Sequence, residues 1–359
     1  MILKDEKILI INPFGIGDCL FTTPVIRAIK DIYPDVSIAY WCNVRVREIF
    51  QNNPNIYKIF SLSRGDLKKI YRKSWFEGTK SFFGLLYSIK KEKFDIVLDF
   101  SLDHRYSLYA KILGIKKRIG FNYKRRGRFL TEKIDIKGYS QKHIVSYYMD
   151  LLKVIGIKPE VRPLELFTPD ADKIRAKNLL EQLGVSQNDL LVAIAPGAGA
   201  SWGLDAKFKH WPALNFSKLI EKIVTQLDAK VILLGDPLER PIVDAIKSLT
   251  KCSFIDLVGK TDLPQLIALI SNCQILVTND GGPMHIAVAV GIKSVSIFGP
   301  VDEIVYGPYP ESSKHIVIKN NIQCRPCYRE FKLPVCPINK QCLNSITVDE
   351  VFDATRRLI

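Results

Sequence analysis

Short apolar runs alternate along the chain with longer segments in which apolar residues recur every three to four positions. In the first half this pattern predicts strands at Lys7–Asn12, Val36–Trp41, Ile56–Phe60, Asp95–Phe100 and Arg118–Phe121, and helices at Thr23–Ile32, Gly78–Lys90, Tyr106–Leu113 and His143–Val154. In the second half it predicts strands at Leu191–Ala195, Lys230–Leu234, Gln274–Val277 and Ser294–Phe298, and helices at Ala171–Leu183, Trp211–Gln226, Pro237–Leu249, Leu263–Ser271 and Pro283–Val290. Apolar strands that alternate with helices are typical of parallel sheets covered on both faces.

A proline-rich segment separates the two series. Pro159, Pro163 and Pro169 fall within a dozen residues, as expected where a chain crosses between domains. We therefore predict an α/β protein with parallel-sheet domains at 1–168 and 169–346, followed by an amphipathic helix at 347–359. Two such domains side by side place a ligand cleft between their strand ends.

The net charge of +15 lies almost entirely in the first half. Residues 1–168 hold 31 Lys and Arg against 17 Asp and Glu, whereas residues 169–359 hold 21 against 20. Such a field attracts a polyanion, which could be nucleic acid, an acidic membrane face or an anionic substrate. A solvated, lysine-rich surface is the alternative.

The sequence predicts a cytoplasmic chain, or one that only touches a membrane surface. The first residues lead straight into an apolar strand pattern and contain no secretory signal. No apolar run approaches the roughly 18–20 residues that span a bilayer.

The segment from Thr278 to His285 carries the clearest chemical signal. A buried strand predicted to end at Val277 runs into a glycine turn, and Pro283 then falls in the first turn of a helix, where a missing N–H costs nothing. The helix N-terminus faces whatever lies above that strand end, and its free N–H groups suit a phosphate. Together with Asp280 and His285, this turn predicts a nucleotide or nucleotide-sugar ligand.

The first strand also ends in a glycine turn, Gly15-Ile16-Gly17-Asp18. Leu20 stands where a dinucleotide fingerprint needs its third glycine, and no acidic residue closes the second strand, so a nicotinamide-dependent enzyme is disfavoured. The chain also lacks the phosphate-binding motif of P-loop enzymes. A carboxylate at a strand end is well placed as a general base, which makes Asp18 the candidate. The alternative is that Asp18 caps the following helix.

Further loops follow the strands of the second domain. Small residues after Ala195 allow close approach of a ligand, and Lys209 adds positive charge just before a helix start. Glu239 and Thr261 lie in later loops at the same predicted edge of the sheet, and Glu239 is a candidate partner for ribose hydroxyls.

Several short motifs resemble the ADP-heptose:lipopolysaccharide heptosyltransferases, glycosyltransferase family nine. The resemblance covers nearly the whole chain, and the order and spacing of the motifs make it specific. The motifs are Gly17-Asp18-x-x-x-x-Thr23-Pro24, Pro196-Gly197-Ala198, Lys209-x-Trp211-Pro212, Gly235-x-x-x-Glu239, Gly259-Lys260-Thr261-x-Leu263 and Thr278-Asn279-Asp280-x-Gly282-x-Met284-His285. It implies the GT-B fold, with two Rossmann-like parallel-sheet domains facing a central cleft and a C-terminal helix at 347–359 that packs back on the first domain.

The resemblance also implies roles for individual residues. Asp18 is the expected catalytic base of an inverting transfer, with the acceptor bound by the first domain and the donor by the second. The expected donor-binding residues are Ser201, Lys209, Glu239, Thr261, Asp280, Gly281, Gly282 and His285. The expected acceptor-binding residues are Gly17, Thr23, Lys124, Arg125, Arg126 and Arg128.

The expected donor is ADP-heptose or another nucleotide sugar, with no cofactor required. The expected acceptor is an anionic glycolipid, the lipopolysaccharide inner core, at the inner face of the cytoplasmic membrane. Two features depart from the family pattern. Gly281 stands where members commonly carry Ser or Thr, and the loop Gly199–Phe208 is longer than usual.

Three alternatives remain at this point. One is a family member that uses a different nucleotide sugar to build another surface glycan. Another is a nucleic-acid-binding protein that uses the basic run at Lys116–Arg128, although the aromatic residues there match no known module. The third is a relative that binds its ligand but has no catalytic activity. The presence of both Asp18 and Lys209 argues against this alternative.

The last part of the chain contains a cluster of cysteines, Cys324, Cys327, Cys336 and Cys342. Four thiols within nineteen residues could bind zinc, although the second spacing is looser than in a typical zinc knuckle. A reducing cytoplasm disfavours disulfides. Unliganded thiols are the preferred interpretation, and similar tails occur in related heptosyltransferases.

Overall fold

The computed structural model describes residues 6–359, except for the side chains of residues 200, 201 and 204. The chain forms two compact units, Met1–Glu165 and Leu166–Ile359. Their boundary falls inside the predicted proline-rich segment.

The first unit is a six-stranded parallel sheet with helices between the strands. Its strands are β1 (Lys7–Ile11), β2 (Ser37–Cys42), β3 (Lys58–Ser61), β4 (Ile96–Asp99), β5 (Lys117–Tyr123) and β6 (Glu132–Ile136). Its helices are α1 (Ile16–Leu20), α2 (Thr23–Ile32), α3 (Arg47–Phe50), α4 (Arg64–Lys73), α5 (Trp75–Glu92), α6 (His104–Ile112) and α7 (Ile144–Val154). The strand order is β3-β2-β1-β4-β5-β6. The chain therefore reverses direction across the sheet between β1 and β4, where open α/β sheets bind their ligands.

The second unit repeats this architecture. Its strands are β7 (Leu191–Ala195), β8 (Lys230–Leu233), β9 (Ile255–Asp256), β10 (Ile275–Asn279), β11 (Lys293–Phe298) and β12 (His315–Lys319). Its helices are α8 (Asp170–Gln182), α9 (Ala213–Leu227), α10 (Arg240–Leu249), α11 (Leu263–Ser271), α12 (Gly282–Val290), α13 (Glu303–Tyr306), α14 (Gln341–Asn344) and α15 (Val348–Leu358). The order β12-β11-β10-β7-β8-β9 places the reversal between β7 and β10.

The central strands are buried on both faces, which explains their unbroken apolar sequences. Every residue of β7 and β10 is buried, as are the last four residues of β1. Ile8 of β1 pairs with Ile38 of β2 on one side and with Ile96 of β4 on the other. The predicted alternation of buried parallel strands and helices is confirmed in both units.

The C-terminal helix α15 packs against α9 and the strands β10, β11 and β12. Its buried residues Val351, Phe352 and Leu358 belong to the core cluster of the second unit, together with Trp211 of the segment before α9. The amphipathic helix predicted at 347–359 is present as α15. Within the second unit, α15 completes the core with these buried residues.

Among the helices of residues 6–359, none combines the length and the apolar character needed to cross a membrane.

Candidate functional site

The loops that follow β7 and β10 form the centre of the candidate donor site. Thr278 Oγ1, near the end of β10, donates to the backbone oxygen of Ala195 at 3.0 Å. Asn279 Nδ2 donates to the backbone oxygen of Pro196 at 2.6 Å, and its Oδ1 accepts from the backbone N–H of Trp211 at 3.1 Å. Asn279 therefore fixes both the loop after β7 and the segment that enters α9.

Lys209 and Asp280 meet as a buried ion pair in this centre. The Nζ atom of Lys209 lies 2.7 Å from Oδ2 of Asp280, and their side chains are only 6% and 5% exposed. The same ammonium lies 4.5 Å from the ring centroid of Trp202, within range of a cation–π interaction. An ammonium carries three donors, so pairing with one carboxylate oxygen leaves it able to donate to an anionic ligand.

Helix α12 begins beside this ion pair. Gly281 is its N-cap and Pro283 lies in its first turn. The first N–H groups of a helix have no partner within the helix, and the helix dipole adds positive potential there, so this end suits a phosphate. His285 lies in the same turn and is 4% exposed.

Gly281 lies tightly against the loop after β7. A Cβ at this position would lie 3.1 Å from the backbone oxygen of Ala198 and 3.2 Å from its carbonyl carbon. This close approach gives a structural reason for glycine at the position where the sequence departs from the family pattern. Gly282 is the first residue of α12.

Glu239 ties two strand-end loops together. Its Oε1 accepts from the backbone N–H of Gly199 at 2.8 Å, and its Oε2 accepts from the backbone N–H of Asp236 at 2.8 Å. Burial raises the pKa of this carboxyl, partly offset by these amide hydrogen bonds. Both of its oxygens thus hold backbone, so the structure shows Glu239 supporting the loops, where the sequence suggested only a ribose partner.

The Glu239 carboxyl needs glycines around it. A Cβ on Gly197 would lie 1.7 Å from Oε1 of Glu239, and a Cβ on Gly235 would lie 2.4 Å from Oε2. Because real Cβ atoms do not approach heavy atoms this closely, the loop after β7 can take this path only with glycine at 197 or with a displaced Glu239.

Gly197→Ala should therefore destabilise the protein, by about 1–3 kcal/mol as for other overpacked sites. Gly84→Ala is the matched control, because Gly84 lies inside α5 and its Cβ would meet nothing within 4 Å. That control should be neutral or gain up to about 1 kcal/mol from helix propensity. Urea unfolding of both variants measures the difference. Equal free energies of unfolding for the two variants would contradict the close contact between Gly197 and the Glu239 carboxyl.

Two other expected donor residues lie at the edges of this site. Thr261 immediately precedes Asp262, the N-cap of α11, and the neighbouring Gly259 donates its N–H to the backbone oxygen of Gly235 at 3.0 Å. The side chain of Ser201 lies outside the described residues, in the segment Ala200–Lys209 of 3₁₀ helix. The structure thus brings together the strand-end loops that carry Lys209, Glu239, Thr261 and Asp280.

In the first unit, Asp18 lies in the first turn of the short helix α1, with Gly15 as the N-cap. The N-cap of the next helix, α2, is Thr22 and not Asp18. Asn12 Nδ2 donates to the backbone oxygen of Asp18 at 2.9 Å and fixes the turn. The Asp18 carboxylate adds to the effect of burial in raising the pKa of Tyr139.

The neighbouring expected acceptor residues differ in environment. Gly17 lies inside α1 and is partly exposed. Thr23 is 1% exposed; its hydroxyl donates to the backbone oxygen of Leu20 at 2.7 Å and accepts from the backbone N–H of Glu165 at 3.0 Å. Thr23 thus anchors the segment that leaves the first unit.

Lys124, Arg125, Arg126 and Arg128 are exposed in the turn between β5 and β6. Lys124 lies over the ring of Tyr123 at 4.9 Å, and Arg128 lies over the ring of Phe129 at 4.9 Å. The four cations are therefore on the surface, as an acceptor-binding role requires.

Sequence reasoning missed a cavity of about 400 Å³ at the carboxyl ends of β1 to β4. Arg45, Arg64 and Lys69 supply positive charge to its lining, and Asp66 and Asp103 supply negative charge. Asn43 lines it as well and donates through Nδ2 to the backbone oxygen of Pro13 at 3.0 Å. The glycine turn that carries Asp18 begins next to this cavity, at Pro13 and Phe14.

All eight cysteines are free thiols in the structure. Within residues 6–359, which include the whole C-terminal cluster, no three His, Cys, Asp or Glu side chains are grouped to hold a metal. Burial, and then the neighbouring thiols of the cluster, raise the pKa of Cys342 to about 11.

A family model described as glycosyltransferase family 9 (heptosyltransferase) matches residues 83–334, well over half of the chain. The chain belongs to glycosyltransferase family 9. This membership makes it a glycosyltransferase and confirms the family predicted from the sequence motifs.

Similar proteins agree with this family 9 assignment. Lipopolysaccharide heptosyltransferase 3 of Escherichia coli (strain K12) is 25% identical over 348 residues, covering 96% of this chain and 95% of its own length. A glycosyl transferase family 9 structure from Veillonella parvula DSM 2008 superposes with a TM-score of 0.83 at 22% identity, covering 100% of this chain and 98% of that one. The E. coli heptosyltransferase WaaC with ADP-2-deoxy-2-fluoro heptose gives a TM-score of 0.70 at 16% identity, covering 98% and 100%. The likenesses confirm the predicted GT-B class of two parallel-sheet units.

Proposed function

We propose that this family 9 glycosyltransferase transfers a heptose from ADP-heptose to the inner core of lipopolysaccharide. The buried Lys209–Asp280 pair, set at the N-terminus of α12 between the strand ends of β7 and β10, carries the proposal. The structure of WaaC with an ADP-heptose analogue and the lipopolysaccharide heptosyltransferase 3 relative support this donor and this acceptor.

Asp18 is the proposed general base. A sugar hydroxyl has too high a pKa to attack unaided, so the Asp18 carboxylate takes its proton as the hydroxyl oxygen bonds to the anomeric carbon. The bond from that carbon to the diphosphate oxygen breaks in the same step, and ADP leaves with the electron pair. One direct displacement inverts the configuration of the anomeric carbon.

The leaving diphosphate gains negative charge as this bond breaks. The Lys209 ammonium and the N–H groups at the start of α12 are fixed in place beforehand, so they can stabilise that charge without reorganisation. Asp280 holds Lys209 in position at 2.7 Å. With these groups present, the proposed reaction requires no cofactor and no divalent metal.

The first unit is the proposed acceptor-binding unit. The exposed turn Lys124–Arg128 concentrates positive charge there, and the cavity adds Arg45, Arg64 and Lys69 against Asp66 and Asp103. This balance suits the carboxylated or phosphorylated sugars of an inner core. Such an acceptor is held in a membrane, so we place the proposed reaction at the inner face of the cytoplasmic membrane.

Thermal unfolding in EDTA with ADP, ADP-heptose, UDP and GDP tests the donor. A ligand at about 100 times its Kd should stabilise the native state by about 2.7 kcal/mol, and we expect this only from ADP and ADP-heptose. A shift with UDP or GDP alone would instead indicate a different nucleotide sugar and another glycan. A shift that needs added metal would contradict the metal-independent site. Transfer to a purified inner-core acceptor then tests the reaction itself.

A further inference from the structure

The hairpin of α4 and α5 carries the largest group of exposed aromatic side chains in the described first unit. Trp75, Phe76, Phe83 and Tyr87 are 74%, 69%, 63% and 61% exposed. Phe76, Lys80, Phe83 and Tyr87 recur at helical spacing along α5, and Lys91 follows one turn later, its ammonium 4.8 Å from the ring of Tyr87. We call Phe76, Lys80, Phe83, Tyr87 and Lys91 the outer face of α5.

The opposite face of α5 is packed in the core of its unit. Ile89 is 1% exposed, and Leu85 and Leu86 pack on the same core cluster. Phe82 contacts Tyr109 of α6 with ring centroids 5.2 Å apart. The aromatic rings of the outer face therefore lie on the side of α5 that faces away from this core.

Positive charge surrounds these aromatic rings. Residues 64–93 contain nine Lys and Arg against three Asp and Glu. In α4, Lys68, Lys69, Arg72 and Lys73 are exposed, and none of its residues is buried. Aromatic residues with interspersed lysines are the composition of helices that lie in the interface of an anionic bilayer.

We propose that the α4–α5 hairpin docks this unit on an anionic phospholipid bilayer. The aromatic rings of the outer face, together with Trp75, enter the interfacial layer, and the lysines and arginines of both helices face the lipid phosphates. A second copy of the chain is a poor occupant, because pairing two such faces would bring their lysines together. The inference rests on the proposed function insofar as the acceptor is a glycolipid.

The position of α4 connects this surface with the acceptor cavity. Arg64 and Lys69 of α4 line the cavity, and the helix is joined to α5 through Ser74 alone. The ring of Tyr71 in α4 also lies so close to Gly78 of α5 that a Cβ there would meet it at 2.4 Å. A hairpin docked on lipid therefore holds the mouth of the cavity near the headgroups, where the sugars of a glycolipid emerge.

Vesicle flotation tests the docking, with no donor or acceptor present. The full chain should float with vesicles containing phosphatidylglycerol and stay behind with pure phosphatidylcholine. Phe76→Ser/Phe83→Ser/Tyr87→Ser should weaken binding at least about tenfold. The control Ile174→Ser/Leu214→Ser/Leu249→Ser removes three exposed apolar side chains from other helices and should bind like the parent chain. Equal binding by both triple variants would overturn the proposal.

Insertion into lipid has its own readout in Trp75. Brominated phosphatidylcholine mixed into the anionic vesicles should quench tryptophan fluorescence, and Trp75→Phe should lose most of that quenching. Trp41 and Trp211 are buried, and the partly buried Trp202 lies in the second unit with its ring 4.7 Å from that of Tyr328. Binding without quenching would overturn the docking of this face. Displacement of the chain from the vesicles by single-stranded RNA would overturn the proposal, because the lysines and arginines of the hairpin would then bind a nucleic acid.

The outcome separates the two proposals. A chain that fails to float yet transfers heptose to a water-soluble inner-core oligosaccharide refutes the docking and leaves the function in place. A chain that floats through the outer face but transfers no heptose refutes the function and leaves the docking in place.

Discussion

Asp18→Asn should lower kcat by about 10²–10⁴-fold, the usual contribution of a general base. Asn keeps the size and polarity of the side chain, so the turn held by Asn12 through the Asp18 backbone oxygen should persist. Binding of ADP should change little, because Asp18 belongs to the first unit and the proposed donor-binding residues belong to the second. Steady-state transfer to a soluble acceptor, with the Kd for ADP measured separately, checks both parts.

Asp35→Asn is the control for this variant, because Asp35 is an exposed carboxylate of the same unit, next to strand β2. It should keep the parent rate. A kcat for Asp18→Asn within about threefold of the parent, far outside the range of general-base catalysis, would show that another group takes the proton. A matched loss in the thermal stability of Asp18→Asn would show instead that its effect is structural.

Lys209→Met should cost both stability and donor binding. Removing one member of a buried ion pair leaves the other charge unpaired, at about 3–5 kcal/mol, and Asp280 is only 5% exposed on its side chain. The same change removes the cation proposed to face the diphosphate. We therefore expect a lower urea midpoint and a loss of the stabilisation by ADP.

The double variant Lys209→Met/Asp280→Leu separates these two effects. Replacing a buried pair with apolar residues of similar size is often neutral for stability, so most of the urea midpoint should return. ADP binding should stay lost, because the cation is still absent. Lys218→Met, an exposed lysine of α9, should alter neither quantity. Recovery of ADP binding in the double variant would exclude Lys209 from the donor site.

The main architecture was predictable because the central strands carry it. Buried parallel strands leave an unbroken apolar signal, and the helices between them leave a period of three to four residues. The prediction missed helix α4, which is short and has no buried residue. Strand β6 is partly or fully exposed along its length, and β9 spans two residues, so neither shows the apolar run on which the prediction depends.

The candidate site was predictable where chemistry shows in a short motif. The glycine turn and helix start around Asp280 can be recognised from local sequence, as can a lysine before a helix. The partners that hold such residues come from distant segments: Asn279 reaches Pro196 and Trp211, and Glu239 reaches Gly199. The cavity was missed because Arg64 and Lys69 lie on the unpredicted helix α4.

The C-terminal helix shows the limit of amphipathic patterns. The apolar face at Val348–Leu358 correctly indicates a packed helix, but the pattern contains no information about which surface covers it. The structure supplies α9 and the sheet of the second unit. Periodicity alone does not identify the residues that contact such a helix, so the surface on which it packs cannot be predicted from the pattern.

The close fit of Glu239 between Gly197 and Gly235 has a consequence for how these three positions vary among homologues. A Cβ at either glycine would overlap the Glu239 carboxyl where it now lies, so a larger residue at 197 or 235 requires Glu239 to move or to be replaced. Among homologues, a residue larger than glycine at 197 should occur mainly with a shorter side chain at 239, and the backbone amides of Gly199 and Asp236 would then need another acceptor. We expect these positions to co-vary as one unit, inherited or replaced as a set.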